Sequence, residues 1–352
     1  MKKYLSLYEK IKEEILSGVY SAGDKIPSKR VMADLTGYSQ ITVMNAYSLL
    51  ETEGYIEARE RSGYFVCKID ALPRIEKKPL LTKLKEEELI EGDNEFEYSL
   101  WFKTVRKVIS ERDRELFIKS ATEGCAVLRN AISDYLYRYR GMIAPPDRII
   151  IGSGSEQLYE TVVKVLGTEA FYGIEDPSYK QIERVYLGCG ARLKKLKMGS
   201  DGIMTAELEN SGVGVLHVTP FNSFPSGVTA SIQKRYEYLN YAKAHGAYIV
   251  EDDFASEFFL PGNPIQSLYG ISGGDNVIYI NTFSKSLSPA MRIGYMIIPE
   301  SLIYIYKEKT KGFSCSVPVL DQYVLAEFIS SGSFERHLSR VRRKMNKKGD
   351  KL

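Results

Sequence analysis

The chain has 352 residues, 44% of them hydrophobic and 26% charged, and a formal net charge of +3. That length suits one small and one large domain, and the composition is that of globular chains, which excludes wholesale disorder. No stretch approaches 18 uninterrupted apolar residues and Met1-Lys2-Lys3-Tyr4-Leu5 opens no long apolar run, so neither a membrane span nor a signal peptide is expected, and the small charge names no partner.

Residues 1–70 read as one compact unit. Leu5, Tyr8, Ile11 and Ile15 recur at helical spacing and Gly18 follows as a stop. Residues 22–27 form a turn. Ser28 caps a short helix bearing Val31, Met32 and Leu35, and Ser39 caps a longer one carrying Val43, Tyr47 and Leu50. After Gly54 two extended runs, residues 55–58 and 64–66, flank the turn Arg59-Glu60-Arg61-Ser62-Gly63. Residues 71–95 include Pro73 and the charged run Lys83-Leu84-Lys85-Glu86-Glu87-Glu88, and read as a solvated linker. From residue 96 the pattern is α/β. Buried-strand runs at 148–151, 247–250 and 277–280 alternate with helical patterns such as 156–166 and 232–245. The last stretch, 334–352, is strongly basic and helical. Four cysteines (Cys67, Cys125, Cys189, Cys315) and three histidines (His217, His245, His337) are scattered without ligand spacing. The sequence therefore predicts reduced thiols, a cytoplasmic location and no metal site.

Helix, turn, capped helix and a two-stranded wing make a winged helix-turn-helix. Its second helix enters a major groove about 12 Å wide while the first crosses the backbone. Ser28, Ser39 and Thr42 at helix N-termini suit phosphate contacts, and Arg30 suits phosphate or guanine. Arg59 and Arg61 sit in the wing, where Gly63 permits close approach. Yet residues 1–70 hold ten Lys/Arg and ten Asp/Glu, so charge alone describes a protein-interaction module equally well, and DNA affinity needs two copies. The blocks Ala22-Gly23-Asp24-Lys25-Ile26-Pro27-Ser28-Lys29-Arg30, Ser39-Gln40-Ile41-Thr42-Val43, Leu50-Glu51-Thr52-Glu53-Gly54-Tyr55 and Ser62-Gly63-Tyr64-Phe65-Val66 resemble the GntR-type winged helix-turn-helix. The resemblance implies that Arg30, Ser39, Thr42 and Gly63 lie at a double-stranded DNA operator. That family often has Arg where this chain has Gln40, which favours adenine over guanine at one operator position.

Three segments of the larger part carry chemistry. Gly152-Ser153-Gly154-Ser155-Glu156 joins a buried strand to a helix, either as a plain turn or as an anion cradle at the helix start. Glu251-Asp252-Asp253 ends a strand, either as a solvated loop or as a ligand site at the carboxyl edge of the sheet. Thr282-Phe283-Ser284-Lys285 is followed by Arg292. The lysine is either a surface residue or a nucleophile whose pKa of ~10.4 is lowered by its pocket. Together these groups supply an imine lysine, a carboxylate for a pyridinium nitrogen and a phosphate cup.

With Glu175-Asp176-Pro177-Ser178-Tyr179, Thr219-Pro220 and Phe224-Pro225-Ser226-Gly227, these segments resemble fold-type I aminotransferases. The whole chain resembles MocR-type regulators, in which a GntR winged helix is fused to such a domain. This resemblance implies an N-terminal winged helix-turn-helix over 1–70, a linker over 71–95 and an α/β pyridoxal phosphate-binding domain over 96–352. It implies that Lys285 forms the Schiff base with pyridoxal 5′-phosphate and that Asp252 pairs with the ring nitrogen. Gly154, Ser155, Glu156, Thr282, Ser284 and Arg292 would bind the phosphate, and Tyr179 would line the pocket. It further implies a homodimer that binds DNA and senses the cofactor or an amino-acid or amine effector. An active aminotransferase carrying a DNA module is the alternative. The chain departs from the family at Ser178, where Gly is usual, and at Asn222 and Ser223, where His and Gln are common; two further departures argue for weak or absent transamination, Phe254 in place of Tyr and an end of the chain where the C-terminal subdomain with the substrate-carboxylate arginine begins.

Overall fold

The computed structural model describes residues 3–60, 62–68, 96, 98–258 and 266–348, and the chain divides into two units near residue 90. The expected linker over 71–95 lies outside the described residues.

In the first unit, α1 (Lys3–Leu16) buries Leu7, Tyr8, Ile11 and Ile15 along one face. Helix α2 (Lys29–Thr36) starts where the Ser28 hydroxyl accepts from the Val31 N–H and ends on Gly37 in the left-handed region. Helix α3 (Gln40–Thr52) starts the same way, with Ser39 accepting from Thr42, and buries Val43, Ala46, Tyr47 and Leu50. Each cap satisfies an N–H that the helix itself leaves unpaired. In α2 the inward face is Met32 and Ala33, whereas Val31 and Leu35 point to solvent. Strands β1 (Lys25–Ile26), β2 (Ile56–Arg59) and β3 (Gly63–Val66) form an antiparallel sheet in the order β1-β3-β2. The segment expected as a plain turn before Ser28 thus contributes an edge strand. The Tyr47 hydroxyl donates to the Pro27 carbonyl at 2.7 Å and ties α3 to that strand's exit.

The second unit is built on seven strands: β4 (Ile149–Gly152), β5 (Phe171–Asp176), β6 (Arg192–Lys197), β7 (Val215–Val218), β8 (Tyr248–Asp252), β9 (Val277–Thr282) and β10 (Gly294–Ile297). Their order is β4-β10-β9-β8-β7-β5-β6, and only β10 runs against the rest. Both faces of the sheet are covered. Ile149, Ile151, Val277 and Tyr279 pack into one apolar cluster, and Ile150, Ile278 and Ile280 into the other. That alternation is the pleat of a strand buried on two sides, and it explains why these runs read as continuously apolar. Helices α4 (Tyr98–Glu111) and α5 (Ala126–Tyr135) precede the sheet. Helices α6 (Ser155–Leu166) and α7 (Lys180–Gly188) follow β4 and β5. The carboxyl ends of β8 and β9 and the start of α6 border one cavity, the place where open α/β sheets bind ligands.

Candidate cofactor pocket and DNA-reading surface

In the first unit Arg30, Ser39 and Gln40 are exposed at the first turns of α2 and α3. The Thr42 hydroxyl shares a 2.9 Å hydrogen bond with Ser39. Two large apolar side chains, Ile41 and Met44, stand exposed on α3. Ile41 carries no polar chemistry, so motif reading passed over it, yet an exposed apolar side chain on this helix suits a thymine methyl. Arg59 sits at the end of β2 with its guanidinium 2.6 Å from the Glu57 carboxylate and 4.4 Å from the Phe65 ring centre, so its charge is partly neutralised within the wing. Gly63 has φ +107, and an added Cβ would meet the Lys25 side chain at 3.1 Å. Only glycine takes that backbone without strain. Arg61 lies outside the described residues.

In the second unit a cavity of about 440 Å³ is lined by residues from several parts of the chain. Ser155 and Tyr159 come from α6, Asp252 and Phe254 from the end of β8, Thr282, Ser284 and Lys285 from the end of β9 and the short helix after it, and Arg292 from the turn before β10. Tyr179 and Phe224 stand exposed at the rim with their rings 6.3 Å apart. The expected cofactor residues Ser155, Tyr179, Asp252, Thr282, Ser284, Lys285 and Arg292 therefore share one cavity.

Lys285 opens onto this cavity, and the surrounding walls remove enough water to lower its ammonium below the ordinary value. Its Nζ lies 4.5 Å from the centre of the Phe254 ring. The three acidic residues at the end of β8 are all buried rather than solvated. Asp252 alone lines the cavity. Its Oδ2 accepts from the Tyr159 hydroxyl and lies 3.7 Å from His217 Nε2. Burial beside that carboxylate carries the Tyr159 phenol well above its ordinary value, so it stays a donor. Sequence reasoning missed Tyr159 and His217. The one signal for Tyr159 is its place four residues after Ser155, on the same face of α6.

The anion cup is assembled from poor neighbours for anything but an anion. Gly154 has φ +97, and a Cβ there would stand 2.8 Å from an Arg292 guanidinium nitrogen, so the backbone at the start of α6 and the guanidinium approach closely. Arg292 itself sits in the left-handed region at φ +41, a strained backbone of the kind found at ligand clamps. The Ser284 hydroxyl is buried with no partner, an orphan donor at the cavity wall. Thr282 is already occupied: its hydroxyl donates to the Ile293 carbonyl and accepts from the Ser284 N–H, so it fixes the turn. The Glu156 carboxylate holds Arg292 at 2.9 Å, which leaves only its backbone N–H for an anion. An unsatisfied hydroxyl, a crowded glycine, a guanidinium and a helix start all fit a phosphate group. Lys285 and Asp252 fit the aldehyde and ring-nitrogen ends of pyridoxal phosphate.

Among the described residues no helix is long and apolar enough to cross a membrane, and no cluster of His, Cys, Asp and Glu could hold a metal ion. Residues 3–66 match the gntR family of bacterial regulatory proteins, and residues 87–352 match aminotransferase class I and II. The chain is 32% identical to the HTH-type transcriptional regulator YdeL of Bacillus subtilis, over 98% of this chain and 77% of that protein. It is 29% identical to the probable rhizopine catabolism regulatory protein MocR of Rhizobium meliloti, over 96% and 73%. It is 26% identical to the pyridoxine biosynthesis regulator PdxR of Corynebacterium glutamicum, over 96% and 75%. Two solved enzymes share the fold. They are a kynurenine aminotransferase of Pyrococcus horikoshii (25% identity, TM-score 0.63) and the α-aminoadipate aminotransferase LysN of Thermus thermophilus (26%, TM-score 0.62). Each alignment covers 70% of this chain, which spans 64% of the length of either enzyme. Likeness to regulators over nearly the whole of this chain, the GntR module and the aminotransferase fold together make it a member of the MocR-type family of HTH transcriptional regulators.

Proposed function

We propose that this regulator binds operator DNA through its winged helix and holds pyridoxal phosphate in the cavity around Lys285, with an amino compound entering the same cavity as effector. The observation that carries the reading is the convergence of Lys285, Asp252 and the Ser284–Arg292 cup on one cavity, in a chain that also carries two serine-capped helices and a wing. Lys285 would hold the cofactor through Nζ, Asp252 would face its ring nitrogen, and Ser284, Arg292 and the N–H groups at the start of α6 would take its phosphate. When bound, the cofactor supplies an aldehyde carbon that exchanges between amines and a ring that withdraws electrons. Relatives named for pyridoxine biosynthesis and for rhizopine catabolism fit a sensor of the cofactor or of an amino compound.

Ser39, Gln40 and Thr42 at the tip of α3, with Arg30 on α2, form the reading surface. Paired modules from a homodimer would make up for the near-neutral charge of one. Transamination is expected to be weak. Phe254 offers no hydroxyl to the cofactor's phenolic oxygen and instead packs its ring against Lys285.

The test is selection of operator DNA from a random-sequence pool by the full chain, followed by affinity measurement with and without pyridoxal phosphate and a panel of amino acids and amines. A selected sequence with two half-sites, and an affinity that changes with cofactor or amine, is expected. Sequence-independent binding, untouched by either, would overturn the reading.

A further inference from the structure

Two of the three histidines are held by backbone carbonyls: His245 bonds Tyr241 and His337 bonds Ser286. His217 is different. It sits in β7 at 1% exposure, and its Nε2 has no hydrogen-bond partner although it lies 3.7 Å from Asp252 Oδ2. A buried ring nitrogen without a partner is costly and calls for a use.

The tautomer follows from the neighbours. His217 Nδ1 lies 2.7 Å from the Tyr186 hydroxyl, at the far side of the ring from Asp252. Among the described contacts that phenol has no other acceptor for its proton. Burial carries Tyr186 well above its ordinary value, so it keeps that proton. Tyr186 therefore donates, Nδ1 accepts, and the imidazole proton resides on Nε2, aimed at Asp252. The Tyr159 and Tyr186 rings stand nearly edge-on to the imidazole, with centroids 5.2 and 5.5 Å away, and hold its plane. Asp252 thus faces two donors on Oδ2, the Tyr159 hydroxyl and the His217 N–H. The nearby Glu175 carboxyl, at the end of β5, is raised by burial and further by the Asp252 charge.

We infer that His217 is a positioning residue: the Tyr186–His217 pair aims an N–H at Asp252 Oδ2 and, with Tyr159, orients the Asp252 side chain that would face the cofactor's ring nitrogen. The contact is longer than a hydrogen bond in this structure, and a closure of about half an ångström by either side chain would complete it. The inference rests on the cofactor reading above. It adds that ring-nitrogen affinity in this chain is set by residues on α6, α7 and β7, not by Asp252 alone. A structural role for His217 would require its shape, whereas this role requires its donor.

The test compares His217→Phe, which keeps the ring and removes the donor, with His217→Gln, whose amide nitrogen can replace it, and with Tyr186→Phe. Two readouts are taken. Nitrogen-15 spectra of the protein without cofactor report which ring nitrogen is protonated, and a proton on Nε2 is expected. Affinity for pyridoxal phosphate and the pH profile of the bound cofactor's absorption report Asp252. His217→Phe should bind the cofactor roughly tenfold or more weakly, the worth of one charge-assisted hydrogen bond, and shift the absorption profile. His217→Gln should restore most of both. A proton on Nδ1, or equal loss in the Phe and Gln variants, overturns the inference. If the unmodified chain takes up no pyridoxal phosphate at all, the cofactor reading fails instead, and the nitrogen spectra still decide the tautomer.

Discussion

Replacing Gly154 by Ala tests the anion cup where it is tightest. The backbone there has φ +97, which alanine reaches only with strain of about 1–3 kcal/mol. The new Cβ would also stand 2.8 Å from one guanidinium nitrogen of Arg292 and 3.0 Å from its central carbon. Arg292 is 53% exposed at its side chain and can swing away, so the clash itself costs little stability. The swing does remove the guanidinium from the start of α6. One charge-assisted hydrogen bond to a phosphate is worth about 1.5–3 kcal/mol, or roughly ten- to a hundredfold in affinity. The assay is equilibrium titration of the full chain with pyridoxal phosphate and, separately, with pyridoxal, which has no phosphate. Gly154→Ala should weaken the first by about that factor and leave the second nearly unchanged, while the melting temperature falls modestly. Equal losses for both ligands, or none for pyridoxal phosphate, would refute the placement of the phosphate.

Four further outcomes are expected. Borohydride reduction of the chain with pyridoxal phosphate, followed by peptide mapping, should label Lys285 and nothing else, and Lys285→Ala should abolish the label. Arg30→Ala should weaken operator binding by about 1–3 kcal/mol if it reads a base, whereas a phosphate contact would show as a uniform loss and a smaller salt slope in binding titrations. Phe254→Tyr should change the absorption spectrum of the bound cofactor more than any turnover with amino acids, as stopped-flow spectra will show. Glu175 is pushed up to about 7 by burial, so its contribution to stability is full below its ordinary value near 4.5 and is lost as pH rises through 7; Glu175→Gln should flatten the fall in melting temperature across that window.

The parts of this molecule that could be read from sequence are those fixed by neighbours in the chain. Ser28 and Ser39 announce their helices because a cap bonds an N–H only three residues on. The strand runs at 149–151 and 277–280 are legible because both faces of each are buried, which leaves no charged interruption. That Lys285, Asp252 and Arg292 share one cavity could be expected because the carboxyl ends of parallel strands, and the start of an antiparallel neighbour, face one edge of the sheet. What escaped reading depends on pairs far apart in the chain. Lys25 and Ile26 become a strand only because Tyr64 and Phe65 lie alongside. Strand β10 is inserted between β9 and β4, and its partner on one side lies some 145 residues earlier. Tyr159, Tyr186 and His217 look like ordinary core residues until α6, α7 and β7 bring them round one carboxylate.

The run Glu251-Asp252-Asp253 shows how one strand end can do three jobs, and why composition alone could not assign them. Successive side chains on a strand point to opposite faces, so neighbours in sequence meet different surroundings. Glu251 accepts from the Leu268 and Tyr269 N–H groups at 2.8 and 2.9 Å, where it caps the short helix Leu268–Ser272. Asp253 accepts from Arg140 at 2.8 Å, from Ser256 at 2.7 Å and from Tyr279 at 2.8 Å. That guanidinium and those hydroxyls hold its carboxyl below the usual range despite complete burial. Asp252, between them, lines the cavity, with the Tyr159 phenol and the His217 imidazole beside it. A buried carboxylate without partners would be expelled or neutralised. The flanking pair therefore anchors the strand end from one face and leaves the middle residue directed into the cavity. The acidic cluster is thus one cavity-lining carboxyl between two that are used to hold the strand end.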